Sequence, residues 1–261
     1  MGILNLTPDS FADGGRFTRV DAALEHIKTM IDEGADIIDM GGQSTRPGAK
    51  AISADEELWR IQAVLTQAVR QFPKQLWSID TDKAVVAKAA VDAGVQMIND
   101  VTALRGDSQM AALVAAVKVP VVLMHAQGRP ETMQVAPTYT DVVSEVLADL
   151  QERVQYATAK GIATDQLIVD PGIGFGKTAE HNIALLKHLN RFTVLGCPLL
   201  IGTSLKSFIG SILQVPLEQR QSGTLASLVW AYAQGARIFR VHHVSQARQA
   251  LTLTRVIMEA A

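Results

Sequence analysis

A lone cysteine, Cys197, rules out an internal disulfide, and its neighbours Gly196 and Pro198 mark it as a packing residue suited to a reducing compartment rather than as a nucleophile. Excess charge of either sign is missing too. With 24 Lys and Arg against 26 Asp and Glu, the net charge is -2, which gives no global attraction to nucleic acid or to an anionic membrane. Any anionic ligand must therefore be met by local cations. No apolar run is long enough to span a bilayer and none follows a basic start, so the sequence reads as a soluble, cytoplasmic chain without a membrane partner. Linkers and low-complexity tracts are lacking as well, and 261 residues suit one large α/β domain spanning 1–261.

What is present is alternation. Apolar runs at Gly2–Leu6, Asp36–Met40, Leu76–Ile79, Gln96–Ile98, Pro120–Met124, Gln166–Val169, Pro198–Gly202 and Arg237–Val241 read as strands. Between them lie amphipathic stretches at Val20–Glu33, Ala54–Val69, Lys83–Asp92, Tyr139–Lys160, His181–Leu189, Gly223–Gln234 and Ser245–Ala260. Repeated βα units predict a parallel sheet buried on both faces, and eight of them predict a closed TIM (β/α)8 barrel. An open doubly wound sheet is the competing architecture, but no dinucleotide glycine signature follows the first strand.

Each predicted strand ends in polar chemistry. Asn5, Asp39, Asp80, Asn99 with Asp100, His125, Asp170, Ser204 with Lys206, and Arg240 with His242 all follow apolar runs. In a parallel barrel these ends share one rim, where the βα loops build the site. Acids and amides fill the middle strands, whereas cations sit after strands two, seven and eight. That segregation suits a ligand with a neutral hydrogen-bonding end and an anionic end.

The stretch Asp170-Pro171-Gly172-Ile173-Gly174-Phe175-Gly176-Lys177-Thr178 is the most informative. It misses a phosphate-binding loop by one position, because the glycine that such a loop needs first is Pro171 here. It reads instead as a strand-end acid followed by a glycine-rich lid around one aromatic ring.

The motifs now become specific. Met1-Gly2-Ile3-Leu4-Asn5-Leu6-Thr7-Pro8-Asp9-Ser10-Phe11, Ser44-Thr45-Arg46-Pro47-Gly48, Ile79-Asp80-Thr81, Ile98-Asn99-Asp100-Val101, Leu123-Met124-His125, the Asp170 stretch, Lys206-Ser207-Phe208-Ile209-Gly210 and Arg240-Val241-His242 resemble the dihydropteroate synthase family. The resemblance implies a transferase of folate biosynthesis that joins 7,8-dihydropterin-6-ylmethyl diphosphate to 4-aminobenzoate. By resemblance Asp80, Asn99, Met124, Asp170 and Lys206 bind the pterin. Phe11, Thr45, Arg46, Pro47, Phe175 and Ser207 meet the aminobenzoate. Asn5, Thr45, Arg46, Arg240 and His242 hold the diphosphate, with Asn5 reaching a magnesium ion (Mg2+) that rides on it. Arg46, Lys206, Arg240 and His242 are the expected catalytic set. His125 reads as a neutral hydrogen bonder or loop anchor. The loops Thr7–Phe17 and Thr45–Lys50 are expected to close over bound substrate.

Some positions depart from the family pattern. Leu205 stands where an arginine is usual, Gln43 where a glutamate is, and His243 where an aspartate follows His242; Gln43 keeps hydrogen-bonding capacity but loses charge, so a supporting ion pair is expected to be broken there. The chain also opens at the first barrel strand, where the family has a short segment that plugs the barrel's bottom, and the expected effect is on stability. Two other functions stay open on the sequence: a pterin-binding methyltransferase barrel, and a catalytically weakened paralogue. The family commonly forms homodimers through outer helices, to which Leu225, Leu228, Trp230 and Tyr232 are candidates to contribute.

Overall fold

The structure, a computed structural model, describes residues 1–7, 16–44, 48–128 and 132–260. Among these residues eight strands alternate with helices: β1 (Gly2–Asn5), α1 (Arg16–Asp32), β2 (Ile37–Gly41), α2 (Ala54–Gln71), β3 (Leu76–Asp80), α3 (Ala84–Asp92), β4 (Met97–Asp100), α4 (Met110–Val117), β5 (Val121–Met124), α5 (Val142–Ala159), β6 (Leu167–Asp170), α6 (Ala179–Lys187), β7 (Leu200–Ile201), α7 (Ser207–Leu213), α8 (Gln221–Ala233), β8 (Ile238–Phe239) and α9 (Val244–Glu259). β1 to β6 form one parallel sheet in sequence order, and β7 pairs with β8. Parallel bridges from Val169 to Leu199 and from Val241 to Gly2 join the two pieces, so the ring of eight closes. This is the (β/α)8 barrel that the alternation predicts.

All eight predicted strands are found, with β7 and β8 shortened to two residues each. Two helices were not predicted. α4 is apolar on every side (Met110-Ala-Ala-Leu-Val-Ala-Ala-Val117), so it shows no amphipathic period. α7 has seven residues and carries Gly210 inside it.

Side-chain alternation along the strands sets what enters the barrel. Asn5 pairs with Gly41, Gly41 with Asp80, and Asp80 with Asn99, which brings the ends of β1 to β4 level with one another. Met124 likewise pairs with Asp170. Below them Val122, Ile168 and Leu200 form a small buried cluster inside the barrel. The larger core lies outside it, with Ile38, Met40, Ile79 and Ile98 packed under the helices and each wholly buried. Burial at that level stabilises by about 1.5–3 kcal/mol per large apolar side chain. It makes the rim a rigid platform.

Local signals fix the helix starts that matter to the site. Ser53 accepts from Glu56 N at 3.2 Å to cap α2, and Thr178 caps α6 by accepting from His181 N at 3.2 Å. Asp80 suits a helix cap on sequence grounds, yet α3 does not use it: Ala84 N goes to Asp107 at 2.8 Å. Asp80 is thereby left to the barrel interior.

Candidate active site

The floor of the site is a cluster of three charged groups and one amide drawn from β2, β3, β4 and the end of β8. Arg240, just past β8, directs Nε to Asp39 Oδ2 at 2.6 Å and Nη2 to Asp80 Oδ2 at 2.8 Å. Asn99 Nδ2 donates to the same Asp39 oxygen at 3.0 Å. Gly41 contributes only backbone between these groups; a Cβ there would stand 3.3 Å from the Asp80 Cβ. Burial pushes the Asp80 carboxyl up to about 7, against the pull of Arg240 and with the added repulsion of Asp39. Burial also opposes the charge of Arg240, but Asp39 and Asp80 hold its pKa above the ordinary value. Acids and cations are therefore not segregated as expected: Arg240, assigned by resemblance to the diphosphate, here lies across the carboxylates of Asp39 and Asp80. Buried carboxylates require such a partner.

The second wall is the loop after β6. Asp170 accepts from Gly172 N at 2.7 Å, and burial raises its pKa against that hydrogen bond and the nearby charges of Lys206, Lys177 and Arg240. Gly172 and Gly176 hold φ of 68° and 62°, and a Cβ on either would collide with the carbonyl of His125 or Gln127. Lys177 stitches this loop to β5. Its Nζ lies 2.9 Å from His125 Nδ1, 3.0 Å from Gly172 O and 2.9 Å from Phe175 O. Burial pushes Lys177 down towards 7, while these acceptors favour the proton staying on it. Receiving that proton contact, His125 is neutral, with burial and Lys177 lowering it to about 3; it is the loop anchor foreseen from sequence.

Lys206 closes the mouth. Its Nζ sits 4.1 Å from the centre of the Phe175 ring and donates to Ile173 O. His242 joins from β8's end, its Nδ1 2.9 Å from Ser204 Oγ. Asp80, Asn99, Met124, Asp170, Phe175, Lys206, Arg240 and His242 line one cavity of about 60 Å³. That is well under the ~300 Å³ at which ordinary ligand pockets begin. Phe175 and Val101 also line a neighbouring cavity of about 470 Å³ beside Gln43 and Ser44. The aromatic ring is thus a partition between two compartments.

Of the remaining expected residues, Ser207 stands exposed at the start of α7 and does not line the cavity. Asn5 ends β1, half-buried. Phe11, Thr45, Arg46 and Pro47 lie outside the described residues. Asp39 was not singled out as a ligand contact by sequence reasoning; its signal was a charge inside the apolar run Ile37–Met40. Gln43 does not leave a broken ion pair. Lys83 reaches Gln43 Oε1 at 2.8 Å and keeps a full charge partner in buried Glu57 at 2.6 Å. His243 stands at the N-cap of α9 and makes no side-chain cap there, a contact an aspartate is suited to make.

Burial pushes Lys206 from its usual 10.5 down to about 7, opposed by Asp170. Between those values the unfolded chain binds a proton that the folded chain lacks, so stability rises with pH. The contribution is complete above the unfolded value and lost as pH falls through about 7. Asp80 acts the opposite way, losing stability as pH rises from its usual 3.8 through about 7, and so leaves the alkaline window clear. Unfolding free energies from urea titrations at pH 7.5 to 10 are expected to climb in the wild type, with Lys177 adding a slope of the same sign in this window, and Lys206→Met is expected to lower the climb by up to roughly 1.4 kcal/mol per pH unit. An equal slope in both proteins would contradict the assignment.

Comparison with known proteins identifies the family. Residues 1–242 match the family described as pterin binding enzyme. The dihydropteroate synthase of Haemophilus influenzae is 47% identical over 94% of this chain and 88% of its own length. Among solved structures, a Xanthomonas albilineans dihydropteroate synthase with 4-aminobenzoic acid superposes with a TM-score of 0.94 at 45% identity, covering 100% of this chain and 93% of the other. The same organism's enzyme in complex with 7,8-dihydropteroate gives 0.90 at 42% identity, with coverage of 100% and 94%. On sequence, fold and the residues gathered at the rim, the chain belongs to the dihydropteroate synthase family of pterin binding enzymes.

Proposed function

We propose that this rim carries out the dihydropteroate synthase reaction, in which the amine of 4-aminobenzoate displaces diphosphate from 7,8-dihydropterin-6-ylmethyl diphosphate. The observation that carries the assignment of roles is the shared cavity: the carboxylates of Asp80 and Asp170 open into the same space as Lys206, Arg240 and His242. A carboxylate accepts two adjacent N–H groups side by side, as a pterin edge offers them. Asp170 is our choice for that contact, with Asn99 and Met124 beside it, and Lys206 donates to the pterin carbonyl side.

The dihydropterin spreads positive charge from its exocyclic methylene, so the C–O bond to diphosphate breaks ahead of C–N bond formation and the aniline then releases a proton. No enzymic nucleophile is needed. The protein stabilises the departing anion and holds the reactants in line. Arg46, Arg240 and His242 are assigned to the anion, and Arg240 must then exchange part of its pairing with Asp80 for phosphate oxygens. Phe175, Ser207, Phe11, Thr45 and Pro47 are assigned to the aminobenzoate.

Magnesium is proposed to enter with the diphosphate, whose charge it would neutralise. Among the described residues no group of three or more His, Cys, Asp or Glu side chains is arranged to hold an ion. The donor set therefore fits only an ion that brings phosphate and water ligands with it. Asn5 is the proposed protein ligand, and Asp39, paired with Ile3 across the strands, keeps Oδ1 buried without a partner.

The test is diphosphate release by the purified chain given the pterin diphosphate, with and without 4-aminobenzoate. Release that depends on aminobenzoate, and that a sulfonamide mimic suppresses, is the expected result. Release without it, or methyl transfer instead, would favour the rival activities. We further place the reaction in the cytoplasm, in keeping with the free, buried Cys197, on a single domain of residues 1–261. Among the described residues no helix is long and apolar enough to cross a membrane. A homodimer is proposed through α7 and α8, where Ile212, Leu213 and Trp230 stay exposed along an apolar groove. Leu228 cannot contribute, being wholly buried. Sedimentation velocity gives the copy number.

A further inference from the structure

We propose that Arg220, which does not line the cavity, is a positioning residue for the reaction: with Thr224 it clamps the turn that presents Ser204 and Lys206. The inference rests on the dihydropteroate synthase reading for its kinetic arm, and on backbone geometry for the rest. Leu205 sits between those two residues with φ of 59°, a left-handed conformation that a branched side chain adopts only under constraint. The constraint comes from α8. Leu205 N donates to Thr224 Oγ1 at 3.0 Å, and Leu205 O accepts from Arg220 Nη1 at 3.0 Å. Thr224 Oγ1 in turn donates to Arg220 O at 3.1 Å, so the hydroxyl is used both as acceptor and as donor. Both polar groups of the strained residue are thereby held by side chains.

The approach of Arg220 is built into α7. A Cβ on Gly210 would lie 2.5 Å from Arg220 Nε and 2.7 Å from Nη2, so the guanidinium passes only because residue 210 is glycine. Nε is buried there without an acceptor, so Nη1 carries the contact to the turn carbonyl. A third contact from α8, Ser227 Oγ to Thr203 Oγ1 at 2.7 Å, pins the residue before Ser204. On the far side of the turn, Ser204 meets His242 and Lys206 meets Phe175. Loosening Leu205 would displace contacts to both ends of the substrate at once.

The test uses Arg220→Met, Leu205→Gly and the double variant. Kinetics are measured with the pterin diphosphate and 4-aminobenzoate, and hydrogen exchange is measured at the Leu205 and Lys206 amides. Arg220→Met is expected to raise KM for the pterin substrate about tenfold and to speed amide exchange at the turn by a similar factor. Leu205→Gly alone should keep KM within about twofold, because glycine rests at this φ without a clamp. The double variant should regain most of the lost KM, which a merely destabilised fold would not do. Wild-type KM and exchange in Arg220→Met, or a KM defect untouched by Leu205→Gly, overturns the proposal. Exchange needs no turnover, so failure of the wild type to release diphosphate would sink the functional reading while the amides still decide on the clamp.

Discussion

Arg240→Met is expected to lower kcat/KM by roughly a thousandfold and to destabilise the fold by about 3–5 kcal/mol. The guanidinium is the charge partner of Asp39 at 2.6 Å and of Asp80 at 2.8 Å. Both carboxylates are buried, Asp39 completely. Removing the cation strands two like charges in a place water does not reach, and one of them must take up a proton or the strand ends must part. The stability loss and the activity loss have separable origins. Adding Asp39→Asn to Arg240→Met removes one stranded charge and should recover much of the stability without recovering turnover. Denaturant melts and steady-state rates on the two variants decide the matter. A full return of activity in the double variant would mean that Arg240 acts only as a strut, and unchanged turnover with weaker pterin binding would mean that the two ends of the ligand are assigned in reverse.

Asp170→Asn is the other change expected to act strongly, and through affinity. The amide oxygen can still accept from Gly172 N, now at 2.7 Å from Asp170 Oδ1, so the loop after β6 keeps its shape. On the proposed assignment, what is lost is a two-pronged carboxylate acceptor for the pterin edge, and the NH2 that replaces one oxygen would face another donor. A site built to hydrogen-bond its ligand rejects a mismatch strongly, so kcat/KM should drop by roughly a hundredfold to a thousandfold, chiefly as a higher KM for the pterin substrate. Asp170→Ala should lose the loop contact too and melt at a lower temperature than Asp170→Asn. If calorimetry finds pterin affinity intact in Asp170→Asn, the heterocycle is gripped elsewhere, with Asp80 the next candidate.

How much of this was legible beforehand follows from where the information sits. The strands of a parallel barrel are buried on both faces, so Val121–Met124 and Leu167–Asp170 read as apolar runs whatever surrounds them. The rim acids were legible because they interrupt such runs at their ends. The partnership between Arg240 and Asp39 was not, since they are 201 residues apart and only barrel closure makes them neighbours. Asp39 itself looked like one polar strand end among many. Lys177 was hidden for another reason: in sequence it is the lysine of a failed phosphate loop, and only the fold turns it inward onto His125. The strain at Leu205 was equally invisible, because a leucine gives no warning of a left-handed backbone. Gln43 is a case in which a substitution suggested a missing ion pair, and the structure supplies Lys83 with Glu57 from another helix.

The barrel wall is uneven in a way that bears on what the substrate does for the protein. From β6 round to β1 it consists of two-residue strands joined to the rest by single bridges. Asp170 stands on one side of that thin arc, and Arg240 lies at its other end. A pterin diphosphate, its ring on Asp170 and its anionic end on Arg240 as proposed, would act as a staple across the weakest stretch of the cylinder, so that filling the site and finishing the fold become a single event.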